Sequence, residues 1–223
     1  MKNNLIKCIL HLLYPTRCPV CGTFIGISDK FCPECIEKLA PFTGAFAIDG
    51  AAGFYASFVY DENISPAVIL LKKGICGNAD YALGQALGEK LTECGLPHID
   101  GIIPVPMYSA DRRRRGYNQA ELIARHVSEV ISVPVIKNAV VKKKATEQQK
   151  MLSGQERREN LKGAFYVKAP ELIKGKSLLI LDDVCTTGST LSELTKLLIS
   201  SGAKEIFCAA CCKTEHRTEH KEM

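Results

Sequence analysis

No stretch of the 223-residue chain approaches the about 20 consecutive apolar residues of a membrane span. The N-terminal apolar segment is interrupted by Lys7 and His11 and is followed by no small-residue cleavage site, which argues against a secretory signal. Internal repeats and low-complexity linkers are also missing, and nothing in the composition suggests disorder or a fibrous class. Neither sign of charge dominates, with 29 Lys and Arg against 24 Asp and Glu. The formal net charge is +5, yet the excess is gathered in Arg112 to Arg115 and Lys142 to Lys144, with Lys137 and Lys150 beside them. Local clusters of this kind suit phosphates better than an evenly basic surface would. These absences give the expectation of a cytoplasmic protein without a transmembrane segment.

What the chain does have is an ordinary apolar fraction of 46% and an unusual 11 cysteines. Without an export signal, reduced thiols and metal ligation are favoured over disulfides. Leu5, Ile6, Ile9, Leu12 and Leu13 recur at helical spacing, which predicts an amphipathic helix docked on its own protein or resting on a membrane surface.

Residues 1–45 hold four closely spaced cysteines and too little aliphatic periodicity for a core of their own, whereas residues 46–223 read as a full domain. Gly53 to Tyr60 alternates like a strand, and Ala67 to Lys73 and Ala79 to Cys94 read as helices. Beyond Ile99 the pattern predicts strands at Gly101 to Val105, Val133 to Val141, Ser177 to Asp182 and Glu205 to Cys212, with helices at Asn118 to Ile131 and Ser189 to Ser201. Such alternation implies an α/β fold, a mainly parallel sheet flanked by helices.

Cys18-Pro-Val-Cys21 and Cys32-Pro-Glu-Cys35 are two C-x2-C knuckles. Four thiolates so spaced can close a tetrahedral shell, the arrangement zinc takes in structural sites. Iron in a rubredoxin-like site and a redox pair of disulfides are the alternatives. Cys208-Ala-Ala-Cys211-Cys212 contains the same spacing, but within an apolar run, where residues three apart point to opposite faces of a strand. These cysteines are expected to be small core residues.

The segment Leu178-Leu-Ile-Leu-Asp182-Asp183-Val-Cys-Thr186-Thr187-Gly188-Ser189-Thr190 carries the most chemistry. An aliphatic strand meets two acids, and a turn of hydroxyls and glycine opens a helix. Such a turn offers backbone N–H groups and the positive helix end to a phosphate. Gly188 permits close backbone approach. Carboxylates beside a phosphate need a separate duty, such as ribose hydroxyls or Mg2+.

These residues resemble the signature of the type I phosphoribosyltransferases. The resemblance implies that Asp182 and Asp183 engage the ribose hydroxyls of phosphoribosyl pyrophosphate (PRPP), that Thr186, Thr187, Gly188, Ser189 and Thr190 hold its 5-phosphate, and that Mg2+ accompanies it. The double-proline strand Ile102 to Pro106 would lead into a pyrophosphate loop of Pro106, Met107, Tyr108 and Ser109.

The run Arg112 to Arg115, Gly116, Tyr117, Asn118, Gln119, followed by Thr146-x-x-Gln149, Leu152, Arg157 and Asn160, resembles the ComF family, as do the zinc knuckles and the PRPP loop in that order. The family implies DNA uptake in natural transformation, with single-stranded DNA, a ComF-type helicase and other uptake proteins as partners. Read physically, the arginines and Lys142 to Lys144 are exposed loop charges that meet pyrophosphate or a nucleic-acid backbone, or are merely solvated. Arg112, Arg113, Arg115, Tyr117, Asn118, Gln119, Gln149 and Arg157 are thus nucleic-acid candidates, Tyr117 as a stacking ring or a loop anchor. Two other functions fit the same residues, an active phosphoribosyltransferase with an unidentified acceptor and a non-catalytic adaptor docking through the zinc module.

Overall fold

The computed structural model describes residues 14–73, 78–143 and 163–215. Its centre is an aliphatic run of four residues. Leu178 to Leu181 form the buried part of strand β5 (Ser177–Cys185), flanked on one side by β6 (Glu205–Lys213) and then β1 (Gly53–Val59), and on the other by β2 (Gly101–Pro104). All three pairings are parallel. A parallel sheet must be covered on both faces, and the alternation of β5 divides its side chains accordingly. Leu179 and Leu181 face a core shared with α3 (Ala79–Glu93) and α5 (Gln119–Ile131), and Leu178 and Ile180 face one shared with α6 (Ser189–Ser200).

Helices α3 and α5 lie unusually close. A Cβ on Gly84 would stand 2.6 Å from His126 Cβ, and one on Gly88 2.6 Å from Val130 Cβ, so the Gly-x-x-x-Gly spacing creates the contact. Helix α2 (Ser65–Lys73) adds Ala67, Val68 and Leu71 to the same core. On the opposite face a short antiparallel pair, β3 (Val140–Lys142) and β4 (Phe165–Val167), closes over α6.

The cysteine module has no core of its own and borrows one. Cys18, Phe31, Cys32, Cys35 and Leu39 are buried in continuity with α2 and α3. Phe31 meets Phe58 of β1 edge to face at 5.9 Å, Asn78 donates to the Asp29 carbonyl at 2.9 Å, and Lys30 pairs with Glu89. Leaving the module, residues 40–42 run antiparallel along the outer edge of β1, with Phe42 N–H donating to Ser57 O and Val59 N–H to Ala40 O. This covers the edge along Ser57 to Val59, where it would otherwise be open to another chain.

Three elements differ from the sequence expectation. The acids do not end β5 but lie within it, because β6 continues beyond them and Asp182 pairs with Ala210, Cys185 with Lys213. The strand expected over Val133 to Val141 is reduced to a bridge between Ile102 and Val135 and the three residues of β3, since Asn138 takes a left-handed φ of 61° that breaks the extended run. Arg112 to Arg115 are not in a loop: they form the last turn of helix α4 (Ser109–Arg115), stopped by Gly116 at φ 87°. The N-terminal helix expected before residue 14, Lys144 and Lys150, Gln149 and Arg157 lie outside the described residues. Among those described, no helix is long and apolar enough to cross a membrane.

Candidate functional site

Because β1, β6, β5 and β2 are parallel, their C-terminal ends share one edge of the sheet, the edge at which open α/β folds bind ligands. Asp182 and Asp183 sit there on β5, Lys213 closes β6, and Pro104 hands the chain to residues 105–108 ahead of α4. The structure thus gathers the predicted acids, the hydroxyl turn and the double-proline segment at one end of the sheet.

The acids have unequal surroundings. Asp182 Oδ1 accepts from the Asp183 N–H at 2.9 Å. Burial, and then the neighbouring Asp183 charge, pushes the Asp182 carboxyl well above the usual carboxylate range. The Asp183 side chain is 8% exposed, and Lys72 Nζ stands 3.1 Å from its Oδ2. Lys72 is thus the cation facing this buried carboxylate. A single ammonium leaves lone pairs on the two carboxylates, and paired carboxylates fit a ligand hydroxyl or a divalent cation, which is the duty expected of the pair with Mg2+. Burial lowers the Lys72 ammonium, but Asp183, Asp182 and Tyr60 outweigh it and the net direction is upward. Lys142, on β3, is lowered by burial, with Asp182 and Asp111 opposing.

The turn after β5 is built for backbone presentation. Gly188 caps α6 in the left-handed region at φ 75°, and no side chain satisfies the cap. The Thr187 and Ser189 hydroxyls lie 2.7 Å apart, and Thr187 Oγ1 also accepts from the Ser189 N–H at 3.4 Å. Thr186 is exposed, and Thr190 lies in the first turn of α6. A cleft of 320 Å³ opens beside Thr187, Gly188 and Ser189 and is completed by Ala47 to Asp49 and Lys196. Lys196 is paired with Asp49 at 2.7 Å.

Sequence reasoning missed three parts of this site. Lys213 is only 3% exposed, and its Nζ donates to Thr186 O at 2.8 Å and lies 4.1 Å from the Phe46 ring centre. A lysine closing an otherwise apolar strand, at the end where the acids lie, was the available signal. Lys72 was legible only as the end of a helix, because nothing local tells which strand it faces. Phe46 and Ile48 lie over the turn, and a Cβ on Gly188 would stand 2.5 Å from Ile48 Cδ1.

The basic candidates divide. Arg112 forks onto Glu121 at 2.8 and 3.0 Å, Arg114 reaches Asp111 at 3.1 Å, and Arg115 donates to Gln119 Oε1 at 2.6 Å. Arg113 is exposed and has no side-chain partner among the described residues. Tyr117 is an anchor, its hydroxyl donating to Leu71 O at 2.6 Å. Asn118 is withdrawn from any nucleic-acid role, since it is buried, caps α5 through the Ala120 N–H and donates to Val105 O at 2.9 Å. Its work is to tie α5 to the end of β2.

The four sulfurs of Cys18, Cys21, Cys32 and Cys35 lie within 4.8 Å of one another, with Cys21 and Cys32 Sγ 3.6 Å apart. Tetrahedral Zn–S bonds of about 2.3 Å need sulfurs about 3.8 Å apart, so the cluster fits zinc. The first knuckle is formed by Cys18 N–H to Thr23 O and Gly22 N–H to Cys18 O, the second by Cys32 O accepting at the start of helix α1 (Pro33–Ile36). The thiols are shifted unequally, hydrogen bonds with Thr23 bringing Cys21 down to about 6 while burial pushes Cys35 up. Cys208 and Cys211 fall on opposite faces of β6 as expected, buried in separate cores.

Comparison with known proteins finds two matching families. Residues 9–46 match the double zinc ribbon domain, and residues 113–223 the phosphoribosyl transferase domain. The chain is 43% identical over 197 residues to Competence protein F of Haemophilus influenzae, covering 85% of this chain and 81% of that one. It is 31% identical over 203 residues to DNA utilization protein YhgH of Escherichia coli, covering 89% and 85%. Among solved structures, the glutamine PRPP amidotransferase of B. subtilis aligns over 60% of this chain and 26% of its own, at 19% identity and a TM-score of 0.42.

Proposed function

The chain belongs to the ComF family, a zinc ribbon joined to a type I phosphoribosyltransferase-like fold, and from that premise we propose that it serves DNA uptake by binding PRPP and single-stranded DNA. The observation that carries the PRPP reading is the pairing, on one sheet edge, of two adjacent carboxylates on β5 with a glycine-capped turn that presents backbone N–H groups. Asp182 and Asp183 take the ribose hydroxyls and the Mg2+ that would neutralise the pyrophosphate, and Thr186 to Thr190 take the 5-phosphate. Lys213 puts positive charge beneath that turn through Thr186 O. Pro106, Met107, Tyr108 and Ser109, which follow β2 at the same end of the sheet, take the pyrophosphate.

Calorimetric titration tests this reading. PRPP with Mg2+ is expected to bind more tightly than ribose 5-phosphate, which lacks the pyrophosphate. If the folded chain binds neither, the turn is a relic of the fold and the adaptor function takes its place. Release of pyrophosphate on adding an acceptor would make the chain a phosphoribosyltransferase, whereas binding without turnover supports the uptake role.

For DNA, Arg113 is the residue of the run whose charge is not engaged by a described neighbour. Phosphate contacts release counterions, each adding about −0.7 to the salt slope on single strands. Arg113→Ala is therefore expected to weaken single-stranded DNA binding and flatten the slope by about that amount. Unchanged affinity and slope in a filter or anisotropy assay would remove α4 from the DNA surface. A ComF-type helicase and other uptake proteins are the proposed protein partners.

A further inference from the structure

Lys72 lies in the last turn of α2 and crosses to the acids on β5, elements that share no hydrogen-bonded pairing. Its Nζ stands 3.1 Å from Asp183 Oδ2. One ammonium neutralises the carboxylate but leaves lone pairs on it for a further donor or a cation. The two partners are also unequally free: the lysine side chain is 42% exposed and the aspartate 8%. One can retire to solvent along its flexible stem while the other stays fixed in the strand.

We infer that Lys72 is a tethered counter-ion of the acidic pair, standing where a divalent cation would meet Asp183, and that such a cation binds by displacing it. The inference rests on the proposed PRPP reading only for the identity of the anionic ligand. A cation arriving alone must expel the ammonium into water and gains only what it can add beyond it. One arriving with a phosphorylated ligand brings anionic oxygens to which the displaced ammonium can turn. Lys72 thereby makes cation and phosphorylated ligand bind as a coupled pair, each raising the affinity of the other. It is a specificity-determining residue of the site, selecting against the bare ion.

The test uses the full chain with its sulfur site filled by zinc and Mn2+ as the probe, followed by electron paramagnetic resonance. Lys72→Met is expected to bind Mn2+ alone about tenfold more tightly than wild type, a modest effect for removing an adjacent charge at a half-exposed position. Lys72→Arg, which keeps the charge, is expected to remain near wild type. Asp183→Asn in the Lys72→Met background is expected to abolish the gain, placing it at the acids. Equal Mn2+ affinity in wild type and Lys72→Met would overturn the inference, as would a gain in Lys72→Arg as large as in Lys72→Met. If PRPP leaves Mn2+ binding unchanged in wild type while Lys72→Met still gains, the counter-ion role stands and the PRPP reading is what fails.

Discussion

Cys32→Ser combined with Cys35→Ser is expected to empty the sulfur site and unfold the N-terminal module. Structural zinc in comparable small units contributes on the order of ~10 kcal/mol, more than the residues around it can supply by apolar burial. The effect reaches further than the metal. Cys32 and Cys35 are themselves buried against the α2–α3 core, so serine would put hydroxyls where that core offers thiols and aliphatic carbon. Metal analysis should find about one zinc per wild-type chain and none in the double variant, and limited proteolysis should cut the variant before residue 45. Full retention of zinc by the variant would overturn the assignment. Retention of the docked module without zinc would show that Phe31 and Leu39 suffice to hold it.

Gly188→Val carries the second large effect, and it falls on folding before it falls on any ligand. A β-branched residue at φ 75° costs about 1–2 kcal/mol in backbone strain. Its Cβ would also stand 2.5 Å from Ile48 Cδ1, and overpacking of that kind costs about 1–3 kcal/mol more. The sum corresponds to a fall in Tm of roughly 4–20 °C for a chain of this length. Adding Ile48→Ala should recover the overpacking part and leave the strain. A melting temperature equal to wild type would mean that residues 46–48 do not lie on the turn. From the sequence alone the glycine has one duty, close approach of backbone to phosphate. The structure gives it a second, contact with a segment 140 residues earlier in the chain, of which no local pattern could inform.

The same contrast runs through the molecule. Patterns that act within a few residues were legible: the paired knuckles, the aliphatic run of β5, the apolar periodicity of α3, α5 and α6, and the acid–hydroxyl–glycine turn. Each reflects a period or a ligand spacing that the neighbouring residues themselves enforce. What escaped depends on contacts between distant segments. The Lys72 partner, the burial of Lys213 beneath Thr186 and the tie of Asn118 to Val105 all join separate elements. The arginine run was misread as a loop because it has no apolar periodicity. Its helix is held instead by polar pairs, Arg114 with Asp111 and Arg112 with Glu121, that an apolar template does not register.

Strand β1 hydrogen-bonds within the sheet only to β6, so Gly53 waits for Phe207 and Val59 for Lys213. During synthesis at roughly 5–20 residues per second, about 150 further residues take on the order of ten to thirty seconds to emerge. The zinc knuckles need no such wait, since all four ligands lie within residues 18–35. The metal can therefore close its loop on the nascent chain while the sheet it will rest on does not yet exist. In that interval residues 40–42 can already cover the outer edge of β1, while the edge that will meet β6 stays open.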